Sequence, residues 1–183
     1  MSERRRISRV TTRTGDKGTT SLATGRRLGK HEQHMRAIGA VDELNSHIGL
    51  LEALVEHQHQ QSLREIQQSL FDMGAVFAME GDYPAPDLEP VEALTNSMNA
   101  DLPALTEFVL PRGGQAASQA HVCRAVCRRA EIEVWARINE MDEPPAAYQG
   151  AVRYLNRLSD LFFVLARLLS QGEEQQWQGP TKA

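Results

Sequence analysis

Beyond residue 30 the apolar positions recur every three or four residues, the spacing of a single helix face. Met35, Ile38, Val41, Leu44, Ile48, Leu51 and Leu54 predict one long amphipathic helix, with Asp42 and Asn45 close to its apolar stripe. Leu63, Ile66, Leu70, Met73 and Phe77 trace a second stripe, which ends at the loop Gly81-Asp82-Tyr83-Pro84-Ala85-Pro86. Val91, Leu94, Met98 and Leu102 mark a shorter third helix, with Pro90 suited to its first turn. The stretch Phe108 to Gly114, broken by Pro111 and two glycines, does not suit a helix. A fourth helix is predicted from about Ala116 to Ile138. Pro144-Pro145 separates it from a fifth, from about Ala146 to Ser170, whose stripe Val152, Leu155, Leu158, Phe162, Leu165 and Leu169 has Asn156, Arg157 and Asp160 among its members. There is no internal repeat and no strand of convincing length. The expectation is an all-α, five-helix up-and-down bundle, with a basic N-terminal loop laid over it and a surface suited to self-association.

Charge refines that picture at two places. Residues 1–30 carry nine Lys or Arg against two acids, while the remainder carries eleven against twenty-two. A basic leader on an acidic body suits a nucleic-acid arm or a loop that receives an anionic small molecule. The leader has no aromatic side chain on which bases could stack, which argues against nucleic acid. Residues 1–9 read as a flexible basic N-terminus, 10–170 as one domain, and 171–183 as a polar, frayed tail. The strongest apolar run, Leu161 to Leu169, is short and contains Arg167, so no membrane span is expected and a cytoplasmic location follows by default. Cys123 and Cys127 lie four apart on one helix, which suits buried thiols better than a disulfide or a metal site.

The second place is the fourth helix. Arg124, Arg128 and Glu131 share one of its faces, set among small apolar residues. A half-buried arginine pair needs a carboxylate, a phosphate or both; the plain alternative is a solvated charged stripe. The leader offers a counterpart. From Val10 to Leu22 two glycines, five threonines and a serine surround Arg13 and Lys17, with Asp16 able to reach a magnesium ion. This is the composition of a phosphate cradle, though it contains no Walker loop and a polar surface turn would look alike.

Five stretches together resemble the PduO-type ATP:cob(I)alamin adenosyltransferases. They are Thr12 to Leu22, Ala37 to Ser46, Phe108 to Pro111, His121 to Glu131 and Tyr154 to Asp160, in that family's order and spacing. The resemblance implies a five-helix bundle that forms a homotrimer with active sites between subunits. It implies transfer of the 5′-deoxyadenosyl group of ATP to the cobalt of cob(I)alamin, with magnesium bound and triphosphate released. By the same likeness Thr12, Arg13, Thr14, Gly15, Thr20, Ser21 and Lys30 hold ATP from one subunit, and Lys17 adds charge beside them. Arg128, Arg129, Glu131 and Asn156 complete the nucleotide site from the neighbour. Arg128 is expected to act in catalysis with the intersubunit pair Asp42 and Arg124. Phe108 matches the residue that crowds the corrin's lower face and excludes an axial ligand. A reductase or a cobalamin-dependent acceptor enzyme would be a partner, and no direct metal ligand is assigned. Two positions depart from the family pattern: Arg112 replaces a glycine, and Arg36 stands where an acid is common.

The chemistry agrees with the residues. Cob(I)alamin is itself a strong nucleophile, so the absence of any evident nucleophile and base is expected of such an enzyme. Two other classes share some of these features. A ferritin-like di-metal bundle would need a pair of Glu-x-x-His motifs, which the sequence does not supply. A regulatory ATP-binding bundle would share the loop and the arginines but have no use for Phe108.

Overall fold

The computed structural model describes residues 11–179. The expected flexible leader, 1–9, and the end of the expected frayed tail, 180–183, lie outside the described residues. Five helices form the bundle: α1 (Gln33–Leu54), α2 (His57–Ala78), α3 (Glu89–Asn99), α4 (Gln115–Asn139) and α5 (Ala146–Leu169). α1, α2 and α5 contain the stripes that predicted them, and α4 contains the expected span. The third ends earlier than expected, at Asn99, which leaves Leu102 beyond the helix; Pro90 does occupy its first turn. One expectation is corrected. A two-stranded antiparallel ribbon, β1 (Thr19–Ser21) and β2 (Arg27–Gly29), precedes the helices, with Thr20 opposite Leu28. Three-residue strands carry too little alternation to be read from sequence.

Helix α4 lies at the centre, packed between α1 and α5, with α2 on α1 and α3 on α5. Many of its buried positions are small: Ala117, Ala120, Cys123, Cys127 and Ala130 are all fully buried. Small side chains let the neighbouring helices approach closely, and Leu44, Ile48, Leu155, Leu158 and Phe162 fill the space between them. Burial pushes both thiols up, Cys123 to about 12, so neither is a thiolate near neutral pH. The Cys127 thiol instead donates to the Leu155 carbonyl at 3.1 Å. Asn45, noted for its place near an apolar stripe, is buried and sets the register of α1 against α2. Its Nδ2 donates to Gln67 O at 3.2 Å, and Gln67 Nε2 returns a bond to Asn45 O at 3.1 Å.

The stretch after α5 is polar but not loose between residues 174 and 177. Val109 and Gln176 form an antiparallel bridge, which lays this strap along the Phe108 segment. Its fastening is an ion pair between Arg167 and Glu174, with side chains only 4% and 16% exposed. A run of polar residues concealed this anchor because the partner sits inside the apolar run of α5. Among the described residues no helix is long and apolar enough to cross a membrane.

Candidate functional site

The N-terminal loop is built by the ribbon. Gly18, at φ +78°, allows the turn that brings its carbonyl to Lys30 N at 2.8 Å. The Lys30 side chain then lies over Gly15 so closely that a Cβ there would stand 2.9 Å from Nζ. A side chain at Gly15 would push the Lys30 ammonium off the loop. Arg13 adopts a left-handed conformation, φ 60°, which is sparsely populated for a non-glycine residue and is found at ligand-holding turns. Thr12 and Thr14 share a hydroxyl hydrogen bond of 2.9 Å. Thr12, Arg13, Thr14, Lys17, Ser21 and Lys30 are exposed, and Gly15 and Thr20 are half-buried.

Sequence reasoning missed Arg27, which organises this loop. Its guanidinium donates to Thr19 Oγ1 at 2.5 Å, to Ser21 Oγ at 3.2 Å and to the Thr14 carbonyl at 3.3 Å. Leu22 and Leu28 anchor the ribbon by burial, and Ala23 N donates to Ala78 O at 3.1 Å. At the end of α2, Glu80 accepts from Thr24 at 2.8 Å and pairs with Arg26 at 2.5 Å. The hydrogen bond from Thr24, with Arg26 beside it, holds the Glu80 carboxyl below its usual range. Beneath lies buried His34, whose Nε2 donates to Phe77 O at 3.0 Å while Nδ1 accepts from Arg137 Nε at 3.2 Å. Those two bonds require the neutral ring.

The second half of the site lies along α4 and α5. Glu131 and Asn156, both half-buried, meet at 3.4 Å. Arg128 is exposed, so the half-buried arginine pair expected on this face is half right: Arg124 alone is half-buried. In a single chain the Arg128 guanidinium faces water. Arg129 turns the other way and pairs with Glu43 of α1, both about half exposed. Among the described residues, Arg124 has a buried Nε with no partner, and His121, one turn earlier, has two unpartnered buried ring nitrogens. Asp42 is exposed in a groove of about 410 Å³ between α1 and α2, lined by Ile38, Gly39, Phe71 and Gly74. No hydrogen bond or ion pair among the described residues joins Asp42 to Arg124, or the N-terminal loop to Arg128, Arg129, Glu131 or Asn156.

The third part is apolar. Phe108 is 78% exposed and lines a recess of about 390 Å³ with Leu105, Thr106, Glu107 and Phe163. The Trp177 ring meets Phe108 edge-on at 6.5 Å. Phe163 lies seven residues beyond Asn156, hence on the same face of α5 and about 10 Å further along it. It escaped the sequence because it follows Phe162, the stripe residue, and sits just off the core face.

Comparisons with known proteins identify the family of the chain. Residues 10–169 match the family described as cobalamin adenosyltransferase. A cobalamin adenosyltransferase of Cupriavidus metallidurans is 45% identical over 94% of this chain and 96% of its own length. The human corrinoid adenosyltransferase is 38% identical over 93% of this chain and 72% of its own length. A solved variant of a PduO-type ATP:corrinoid adenosyltransferase from Lactobacillus reuteri, complexed with cobalamin and ATP, superposes with a TM-score of 0.86 at 31% identity. That match covers 93% of this chain and 100% of the other. On all of these grounds the chain belongs to the cobalamin adenosyltransferase family.

Proposed function

We infer that the protein transfers the 5′-deoxyadenosyl group of ATP to the cobalt of cob(I)alamin and releases triphosphate. The observation that carries this reading is the single stripe on α5. Asn156, bonded to Glu131, marks a polar end, and Phe163, which lines the recess with Phe108, marks an apolar end about 10 Å further along the helix. A nucleotide at the first and a corrin at the second would meet between them.

In the reaction the cobalt lone pair attacks the ribose C5′ and forms the Co–C bond. The C5′–O bond breaks, and its electron pair leaves on triphosphate. No side chain has to supply a base. The protein's work is alignment and charge neutralisation. Thr12 to Gly15, Thr20, Ser21, Lys17 and Lys30 would receive the nucleotide from one subunit, with Arg27 setting the hydroxyls. Arg128, Arg129, Glu131 and Asn156 would close over it from the next. The exposed Arg128 fork suits the leaving triphosphate. Arg129 would have to leave Glu43, or share it, to reach the nucleotide. Phe108 would keep water and bases from the cobalt's lower face.

Assembly as a homotrimer is supported by the lack of any hydrogen bond or ion pair, among the described residues, between the two nucleotide half-sites of one chain. It would also bring Asp42 and Arg124, whose side chains pair with nothing among the described residues, into reach of each other across subunits. The donors fit a magnesium ion that arrives on the nucleotide: between Thr11 and Lys30 the one acid is Asp16, exposed, and magnesium commonly needs no more than one or two carboxylates beside phosphate. When bound it supplies positive charge on the triphosphate oxygens. The decisive experiment mixes the protein with ATP and chemically reduced cobalamin. Triphosphate should appear together with the spectrum of an alkylated, light-sensitive corrinoid. Binding of ATP without either product would leave a regulatory nucleotide-binding bundle instead.

A further inference from the structure

Arg167 is a charged residue in the most apolar stretch of the chain, and it is 5% exposed. A guanidinium is buried at such a place only if its donors are met. Nε donates to Glu174 Oε1 at 2.8 Å, and Nη2 donates to the Pro103 carbonyl at 2.8 Å and to Glu174 Oε2 at 3.4 Å. One rigid fork thus grips the chain ahead of the Phe108 segment and the strap that runs beside it. From Glu174 the strap continues into two backbone bonds. Leu110 N donates to Gln175 O at 2.8 Å, and Trp177 N donates to Phe108 O at 2.7 Å. Arg112, the residue that departs from the family pattern, adds a side-chain bond to Gln175. The Phe108 ring is mostly exposed and its aromatic contact, Trp177, belongs to the strap itself, so the strap's backbone pairing is what holds it in place.

We propose that Arg167, acting through Glu174 and the strap, is a positioning residue that sets where the Phe108 ring stands against the corrin. This rests on the reading of Phe108 as the wall below the cobalt. Lysine cannot replace the arginine here. It keeps the charge but lacks the planar fork that reaches a carboxylate and a carbonyl in different directions. Glutamine at position 174 keeps the shape and removes the charge that commits the fork. Arg112 closes the far side of the same strap, so its substitution should loosen Gln175 while Arg167 keeps its grip on Glu174.

The test uses the full chain with ATP and cob(II)alamin, comparing wild type, R167K, E174Q and F108A. Three quantities are read: the fraction of bound cob(II)alamin that lacks a lower axial ligand, from its absorption and electron paramagnetic resonance; the affinity for ATP; and amide exchange at Leu110 and Trp177. R167K and E174Q should lower the ligand-free fraction several-fold and speed exchange at both amides, with ATP affinity unchanged. F108A should abolish that fraction without changing exchange at Leu110. If F108A behaves so while R167K and E174Q keep the wild-type fraction, the positioning role is overturned and the reading of Phe108 survives. If F108A itself keeps the wild-type fraction, the reading of Phe108 falls and the proposal falls with it. Equal loss of ATP affinity and ligand-free fraction in R167K and E174Q would show general structural damage and also overturn it. Should R167K fail to fold, E174Q alters a less buried side chain and decides the matter alone.

Discussion

The ribbon Thr19–Gly29 rests on the bundle through two apolar side chains, Leu22 and Leu28, one backbone bond from Ala23 to Ala78, and the half-exposed Glu80 carboxylate, which takes Arg26 and Thr24. The Phe108 segment, equally short of regular structure, is held by a buried ion pair and two backbone bonds to its strap. These fastenings differ in what a ligand can do to them. In the ribbon, Arg27 bonds to Thr14, Thr19 and Ser21, groups that a polyphosphate would also engage, so nucleotide would exchange internal bonds for bonds to itself. Around Phe108 the anchoring bonds lie in buried or backbone groups that a corrin would not displace. One region is arranged to respond to its ligand and the other to be ready for it.

The strongest way to break this contrast is at the residue that would join the two regions across subunits. R128K retains a positive charge and loses the bidentate fork. Removing one preorganised donor from developing negative charge costs on the order of a hundredfold in rate. Adenosylation by R128K should slow by about that factor, while oligomer size by sedimentation stays unchanged. A variant with wild-type turnover would remove Arg128 from the leaving group.

The ribbon itself offers a smaller effect. L28A removes one of its two apolar anchors and depopulates the closed loop. Apparent affinity falls by the fraction of competent loop, so ATP binding should weaken by on the order of tenfold, with little change in the bundle's unfolding midpoint. Amide exchange in residues 11–30 should slow when MgATP is added, and slow less in L28A. Equal protection with and without nucleotide would mean that the loop is already closed, and the contrast with the Phe108 segment would disappear.

The helices were legible because their apolar stripes repeat over many turns, and the positions that break the repeat mattered most. Asn45 and Asn156, polar among apolar neighbours, proved to be a register bond and a partner of Glu131. Arg167 carried the same signal inside Leu161 to Leu169, yet its partner lies in a tail whose polarity suggested fraying. The ribbon and the strap depend on single bridges and pairs between distant residues, and such contacts leave no periodic trace. Arg27 looked like one more charge in a basic leader, since only the ribbon's pairing sets it opposite Ser21 and beside Thr19.

The pair Asp42 and Arg124 tests the assembly on which the contrast depends. D42N and R124M should each weaken the proposed trimer, and the double variant should fall short of their sum by at least about 1 kcal/mol if the groups meet. Sedimentation across a concentration series measures all three. Strictly additive losses would place the two residues in separate environments.

The smallest expected effect separates the two regions through their histidines. Burial lowers the pKa of both, for His34 with Arg137 adding to the effect and the Phe77 carbonyl opposing it, and for His121 with Arg124 adding and Glu174 opposing. The folded chain therefore holds both rings neutral, while the unfolded chain takes up protons near the ordinary value of 6.5. Below that pH the unfolded state binds more protons, so stability should decline as pH falls from 6.5 and level off below the folded values. Beneath the ribbon, His34 spends both nitrogens on protein partners, and H34L would orphan the Phe77 carbonyl and Arg137 Nε, costing about 1 kcal/mol. Beside the strap, His121 has no such partners to orphan, and an apolar side chain of similar size at an unpartnered polar site is close to neutral or stabilising. Urea unfolding at about pH 7.5 and about pH 5.5 reads both predictions, since each variant should also flatten part of the acid-side decline. H34L should lower the midpoint at the higher pH, and H121L should leave it level or raise it. A clear loss in H121L would show that its ring meets a partner outside the described residues, such as a bound water, and the strap region would then be as dependent on polar satisfaction as the ribbon.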